Sequence, residues 1–269
     1  MTTLNIARAF FMRDLRVAWS YRFAFFFQNA SLLFSVLTLR FVSDLLGKNS
    51  PAALEAYGGD YFSFVLLGAG LSLLAYPVTK SFASAVRAAQ VTGTFEAMLT
   101  TRASGATIVV CSSLYSLTVA CVQLALMWVI GGVVFGADLR LIQLPLVALV
   151  VAMTVAVLAG VGLLSAAFVI AFKQNEPFTS AFVAGSLLIS GIMYPTSVLP
   201  HWMELLSPLL PLTHAAELTR FIFLNGADSS QAGLHLAALA GFCVLLPIGI
   251  FALNISLDFA RRTGSLSQY

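Results

Sequence analysis

The sequence predicts an all-α membrane protein. It has six transmembrane helices, an N-terminal interfacial amphipathic helix and a re-entrant outer helical hairpin between spans 5 and 6. Three observations predict this. Only 9% of the 269 residues are charged and 59% are hydrophobic, with mean hydropathy +0.94. A soluble domain carries about 25% charge, so lipid must be part of the solvent here. Second, residues 103–137, 141–172, 177–203 and 231–257 hold no Asp, Glu, Lys or Arg, and a spanning helix needs about 20 mostly apolar residues. Third, these runs are apolar on every side, whereas barrel strands alternate over about 10 residues. Helix is then the way to satisfy backbone polar groups in lipid.

The elements follow in order within one domain, 1–269. Residues 1–22 read as an amphipathic helix lying in the bilayer interface. Leu4, Ala7, Phe11, Leu15 and Ala18 share a stripe with Phe10 and Trp19 beside it, and Arg13 and Arg16 turn toward anionic headgroups. The arginine-bearing start has no small-residue cleavage site, so no cleavable signal peptide is expected. Spans are expected at 23–46, 61–79, 106–134, 143–171, 178–196 and 233–257. Arg40 and Asp44, four apart near the end of span 1, should pair. Segment 195–228 is too apolar for a free loop, and Pro195, Pro200, Pro208 and Pro211 interrupt any single helix. Two short helices that dip into the outer leaflet and return are expected.

Six spans place both termini on one side. The loops of that side hold Arg8, Arg13, Arg16, Arg22, Lys80, Arg87, Arg102, Lys173, Arg261 and Arg262, ten of the fourteen Lys and Arg. The positive-inside rule places both termini in the cytoplasm. The longest internal loop, with "QVTGTFEAMLTTRASG" at 90–105, therefore faces the cytoplasm. Thr94 is expected to cap a short helix, with Glu96 in its first turn and Arg102 near its end, both favourable to the helix dipole. Its apolar side, Phe95, Met98 and Leu99, suits docking on a soluble partner.

Several chemistries are disfavoured. Lys48, Lys80 and Lys173 all fail the G-x-x-x-x-G-K-[ST] pattern, so no phosphate-binding loop of that kind is present and the chain is not expected to be an enzyme. Spans 2 to 5 carry no charged side chain, which disfavours an ion-coupled transporter. His214 and Glu217 in "HAAE" share a face, but two donors are few for a metal, and Glu217 is better placed to pair with Arg220. Ser190 and His235 could be a nucleophile and base only at matching depth, and their positions disagree. Gly132 and Gly136 form a G-x-x-x-G that would permit close helix contact. Cys111, Cys121 and Cys243 fall inside spans and no structural disulfide is expected.

Four segments resemble the membrane subunit of an ABC-2 type exporter: "RDLRVAWSYRFAFFFQ", "YFSFVLLGAGL", "AAQVTGTFEAMLTTRAS" and "SGIMYPTSVLPHWMELLSPLLPLTHAAELTR". The resemblance implies a permease that pairs with a second copy of itself and with two separate ABC ATPase subunits. ATP and Mg would be bound by those ATPases, with no cofactor or metal in this chain and no nucleic-acid partner. It implies a multi-pass protein of the cell (inner or plasma) membrane. Arg87, Gln90, Gly93, Thr94, Glu96, Thr101 and Arg102 match the family's coupling segment, 80–104, and would contact the ATPase. Pro200, Trp202, Pro211, His214, Glu217 and Arg220 match the outer hairpin that would gate the exit. The approach to span 1, "VAWSYRFAFFFQN", departs from the Y-x-x-S-x-L-G-x-x-W of polysaccharide exporters. It is more similar to exporters of drugs and lipophilic compounds, with a lipid-linked glycan as the alternative cargo.

Overall fold

The computed structural model describes residues 3–46, 54, 57, 60–101, 103–137, 139, 143–172, 178–225 and 230–262. Among them every regular element is helical: α1 (Thr3–Ser20), α2 (Arg22–Leu46), α3 (Tyr61–Val91), α4 (Phe95–Leu99), α5 (Gly105–Val129), α6 (Leu144–Phe172), α7 (Phe178–Ile189), α8 (His201–Leu206), α9 (Pro211–Arg220), α10 (Ser230–Phe242) and α11 (Leu245–Arg262). Among the described residues five stretches are long and apolar enough to cross a membrane: Phe26–Leu46, Tyr61–Val91, Gly105–Val134, Leu144–Phe172 and Gln231–Arg262. The chain is a multi-pass, all-α membrane protein.

The expected span at 178–196 is shorter than its composition suggests. α7 has 12 residues, about 18 Å of helix, against a hydrocarbon core of about 30 Å. Gly191 ends the run by turning left-handed at φ +70, a conformation that costs glycine little. Pro195 then opens a tight turn over Thr196–Val198.

Two other boundaries move for identifiable reasons. α3 continues past the expected residue 79 to Val91. Val78, Phe82 and Val86 are buried at four-residue spacing while Lys80 is exposed, so an amphipathic extension replaces the end of the span. The last span is broken between α10 and α11. Pro247 has no N–H to donate, and the chain tightens there, with Val244 N bonding Gly241 O at 3.2 Å and Leu246 N bonding Cys243 O at 3.1 Å.

α3 is the centre of the bundle. Of the residues in its spanning part 78% are buried, against 11% in α2. It packs on α5 and α6, and α6 in turn meets α11 along its length. The α6–α11 crossing is a backbone contact: a Cβ on Gly160 would come within 2.5 Å of Leu245 C, and one on Gly249 within 2.5 Å of Gly160 O. Gly132 and Gly136 of the G-x-x-x-G do not share one regular helix face. α5 passes into a π-helical turn, Ile130–Val134, and Gly136 leaves it at φ +71.

α1 has no buried residue. It leans along α5 instead of lying by itself. Ile6 and Phe10 share a hollow with Thr107 and Ile108, the Phe11 ring is 5.9 Å from that of Tyr115, and Ala18 reaches the level of Val119. Of the expected stripe, Leu4 and Leu15 remain exposed, as does Trp19 beside it. The Arg40–Asp44 pair forms at 3.1 Å.

Candidate functional site

The proline-rich hairpin divides into two unlike halves. α8 has no buried residue, and Trp202 is 59% exposed. Pro200 is exposed too, and its carbonyl accepts from Met203 N and Glu204 N at the start of α8. α9 is buried over all ten residues, Pro211, His214, Glu217 and Arg220 included. Pro211 occupies the first helical turn, where its missing N–H leaves nothing unpaired. Thr213 Oγ1 donates to Ser207 O at 2.8 Å and ties α9 to the turn before it.

Arg220 is fully buried, and most of its donors are engaged. Nη2 donates to Gly191 O at 2.9 Å and Ile192 O at 2.8 Å, Nη1 to Glu217 Oε1 at 3.3 Å, and Nε to Phe64 O at 3.4 Å. The guanidinium lies 3.6 Å from the Phe64 ring centroid, a cation–π contact strengthened by exclusion of water. Tyr57 Oη donates to the other carboxylate oxygen of Glu217 at 2.8 Å. Burial, then the Glu217 charge, raises the Tyr57 phenol above its ordinary pKa, so its proton stays in the bond. Gly68 of α3 permits this assembly, since a Cβ there would come within 2.1 Å of Ile192 O and 2.7 Å of Arg220 Nη2. One guanidinium thus joins α9, the turn after α7 and the first turns of α3.

His214 belongs to a separate contact. Nε2 is 2.8 Å from Pro208 O, and Nδ1 is 2.9 Å from His235 Nδ1. A carbonyl only accepts, so Nε2 of His214 is the donor. With His214 neutral, its Nδ1 accepts from His235. His214 and Glu217 therefore share a helix face but turn to different partners. Among the described residues Ser190 makes no bond to His235, and its hydroxyl is buried without a partner.

At the other end of α3 the polar segment is arranged in the opposite sense. Gly93 turns the chain at φ +68 and is open to solvent. Thr94 precedes α4 but does not cap it. Its hydroxyl meets Thr92 Oγ1 at 2.9 Å and Ala89 O at 3.4 Å, back toward α3. The side-chain cap sits one helix later, where Ser104 Oγ accepts from Thr107 N at 3.1 Å. Phe95 is buried, and Leu99 packs against the core and near Gly105. Of the apolar side of α4, Phe95 is thus occupied by this chain's own helices, while Met98 and Leu99 are half-buried at the rims of two hollows. Glu96 and Thr101 are exposed, Arg87 is half-buried, and Gln90 is only 4% exposed, so it supports the segment from within. Arg102 lies outside the described residues. Hollows flank the segment on both sides, about 540 Å³ against α1 and about 580 Å³ against Asn254, Asp258 and Arg261 of α11.

Of the thirteen residues the sequence singled out, the structure unites Glu217 and Arg220 in one network. It leaves Gly93, Thr94, Glu96 and Thr101 each exposed along the same polar segment. Sequence reasoning missed Tyr57, Phe64, Gly68 and Gly191. Phe64 and Gly68 stand in "YFSFVLLGAGL", and Gly191 is the glycine that opens the hairpin stretch, but nothing local marks them as partners of Arg220. A 68-residue stretch is 38% identical to Nodulation protein J of Sinorhizobium fredii (strain NBRC 101917 / NGR234), covering 25% of this chain and 26% of that protein. Residues 6–224, from the start of α1 through the hairpin, match the sequence model of a family described as ABC-2 type transporter. A match over so much of the chain makes it a member of the ABC-2 type transporter family.

Proposed function

We propose that this chain is the permease subunit of an ATP-driven exporter. Two copies would form the path, and two separate ATPase subunits would bind ATP and Mg and hydrolyse the nucleotide; this chain would have no catalytic role. Both termini and the polar segment would lie in the cytoplasm, as the Lys and Arg distribution implies. The hairpin would face outward in the cell membrane. Cargo would be lipophilic.

The observation that carries this reading is α3. Its 31 residues, Pro77 among them, make a continuous helix of about 46 Å. One end touches Arg220 through Phe64 and Gly68. The other leads through Gly93 into α4, which is held against α3 and α5 by Phe95. Force applied by an ATPase to the exposed Gly93, Thr94, Glu96 and Thr101 would be passed along this one continuous helix to the hairpin. A buried Phe95 is what such a transmission needs, because a loosely held α4 would yield instead of pushing.

The test is co-purification with the ATPases of the source cell. Recovery of an ABC ATPase with the unaltered chain, and its loss in a correctly folded Glu96→Arg variant, is expected. Recovery of no ATPase, or transport that persists in ATP-depleted vesicles under an ion gradient, would overturn the reading.

A further inference from the structure

A half-open hollow of about 300 Å³ lies between the end of α1, the start of α2, α3 at Pro77 and α5. Five of its lining side chains are hydrogen-bonding groups without formal charge: Tyr21, Gln28, Tyr115, Ser116 and Gln123. The other lining residues are apolar, and no acidic or basic side chain is among them. Tyr21 and Gln28 flank the start of the spanning stretch Phe26–Leu46, while Gln123 stands well inside Gly105–Val134. The hollow therefore runs from the bilayer boundary inward.

Among the described residues, none of these five side chains makes a hydrogen bond within the protein. Their neighbours on α5 behave otherwise. Ser112, Ser113 and Thr118 donate to the carbonyls four residues back, Ile108, Val109 and Leu114, at 2.6, 3.3 and 2.8 Å. That is the usual way a hydroxyl is satisfied in a membrane helix. Ser116 does not do so. Gln123 is only 8% exposed, and what remains open faces the hollow. An amide held in apolar surroundings without a partner is costly, and a polar group at that depth faces the bundle interior or a cavity.

We propose that this hollow binds an amphiphile with an uncharged, hydroxyl- or amide-bearing head. The head lies against Gln28, Tyr115, Ser116 and Gln123, and an apolar tail extends toward lipid. A charged head is disfavoured because no opposite charge lines the site, and a desolvated unpaired ion costs more than a hydrogen-bonded dipole. A purely apolar ligand would leave Gln123 and the half-buried Tyr115 and Ser116 unsatisfied. Only the identification of the ligand as cargo rests on the exporter reading; the binding does not.

The experiment uses the full chain in phosphatidylcholine nanodiscs with a fluorescently tailed octyl glucoside as probe. Saturable binding is expected. Unlabelled octyl glucoside should displace the probe, and octyl phosphate or octyltrimethylammonium at equal concentration should not. Gln123→Leu should weaken binding about tenfold, roughly the effect of losing one buried hydrogen-bonding partner. Gln28→Leu is an exposed change that leaves the fold intact and should weaken binding several-fold. Displacement by the charged heads as good as by the glucoside, or unaltered binding in both Gln variants, overturns the proposal. In vesicles containing the ATPase, stimulation of ATP hydrolysis by octyl glucoside, lost in Gln123→Leu, identifies cargo. Binding without stimulation identifies a resident bilayer lipid. Binding by a chain that recruits no ATPase refutes the exporter reading while leaving the site standing.

Discussion

The hairpin and the polar segment both place a glutamate on a short helix, yet they use it in opposite ways. Glu217 is buried, shared between Arg220 and Tyr57, and its network holds three parts of the chain together. Glu96 sits on a five-residue helix, exposed in its first turn, while its neighbour Phe95 does the holding. A buried carboxylate must be paired, so its partners are chosen by the fold. An exposed one is hydrated and free to meet something else. The difference separates residues that keep the structure from residues that present it.

Mutation can break or sharpen that contrast. The largest effect is expected at Arg220→Ala. It strands Glu217 and two backbone carbonyls in a dry interior, which should cost about 3–5 kcal/mol. Thermal unfolding of the purified chain would show this as a sharp fall in Tm, while Arg220→Met combined with Glu217→Leu should lose less than the single change. Phe95→Ala comes next, at about 3 kcal/mol or somewhat more for removing a buried ring. It should also loosen α4, readable as faster hydrogen exchange over 94–101. Tyr57→Phe deletes only one bond to a charged oxygen, so about 1.5–3 kcal/mol is expected. Equal stability of Tyr57→Phe and the parent chain would mean that the network does not depend on its third member. Glu96→Arg should be smallest, within about 0.5 kcal/mol as for an ordinary surface site. A large destabilisation there would erase the distinction between holding and presenting.

Legibility differed along the chain for physical reasons. Long apolar runs are decided by solvent, so α2, α3, α5 and α6 could be read directly. α7 could not, because it is as apolar as a full span and only the left-handed turn at Gly191 ends it. The Glu217–Arg220 pair was legible as a local i, i+3 spacing, and the Arg40–Asp44 pair as i, i+4. Thr94 was misread because a hydroxyl that follows a helix as well as preceding one has two sets of backbone groups to choose from. It turned to the helix behind it. The apolar side of α4 was correctly seen as apolar, but only packing could say that Phe95 was already occupied.

By itself the sequence determined that the chain lives in lipid, that its backbone must be helical there, and which residues are short-range partners. Those depend on composition and on spacings of three or four residues, which any single segment carries. The tertiary structure alone decided that Arg220 reaches the carbonyls of Gly191 and Ile192 and the ring of Phe64, 156 positions away in the chain. It alone decided that Gln90 turns inward, and that five side chains from α2, α5 and the α1–α2 junction surround one polar hollow. Contacts at such separations depend on where α3 lies among its neighbours, a position set by packing the whole bundle and not by the residues of any one segment.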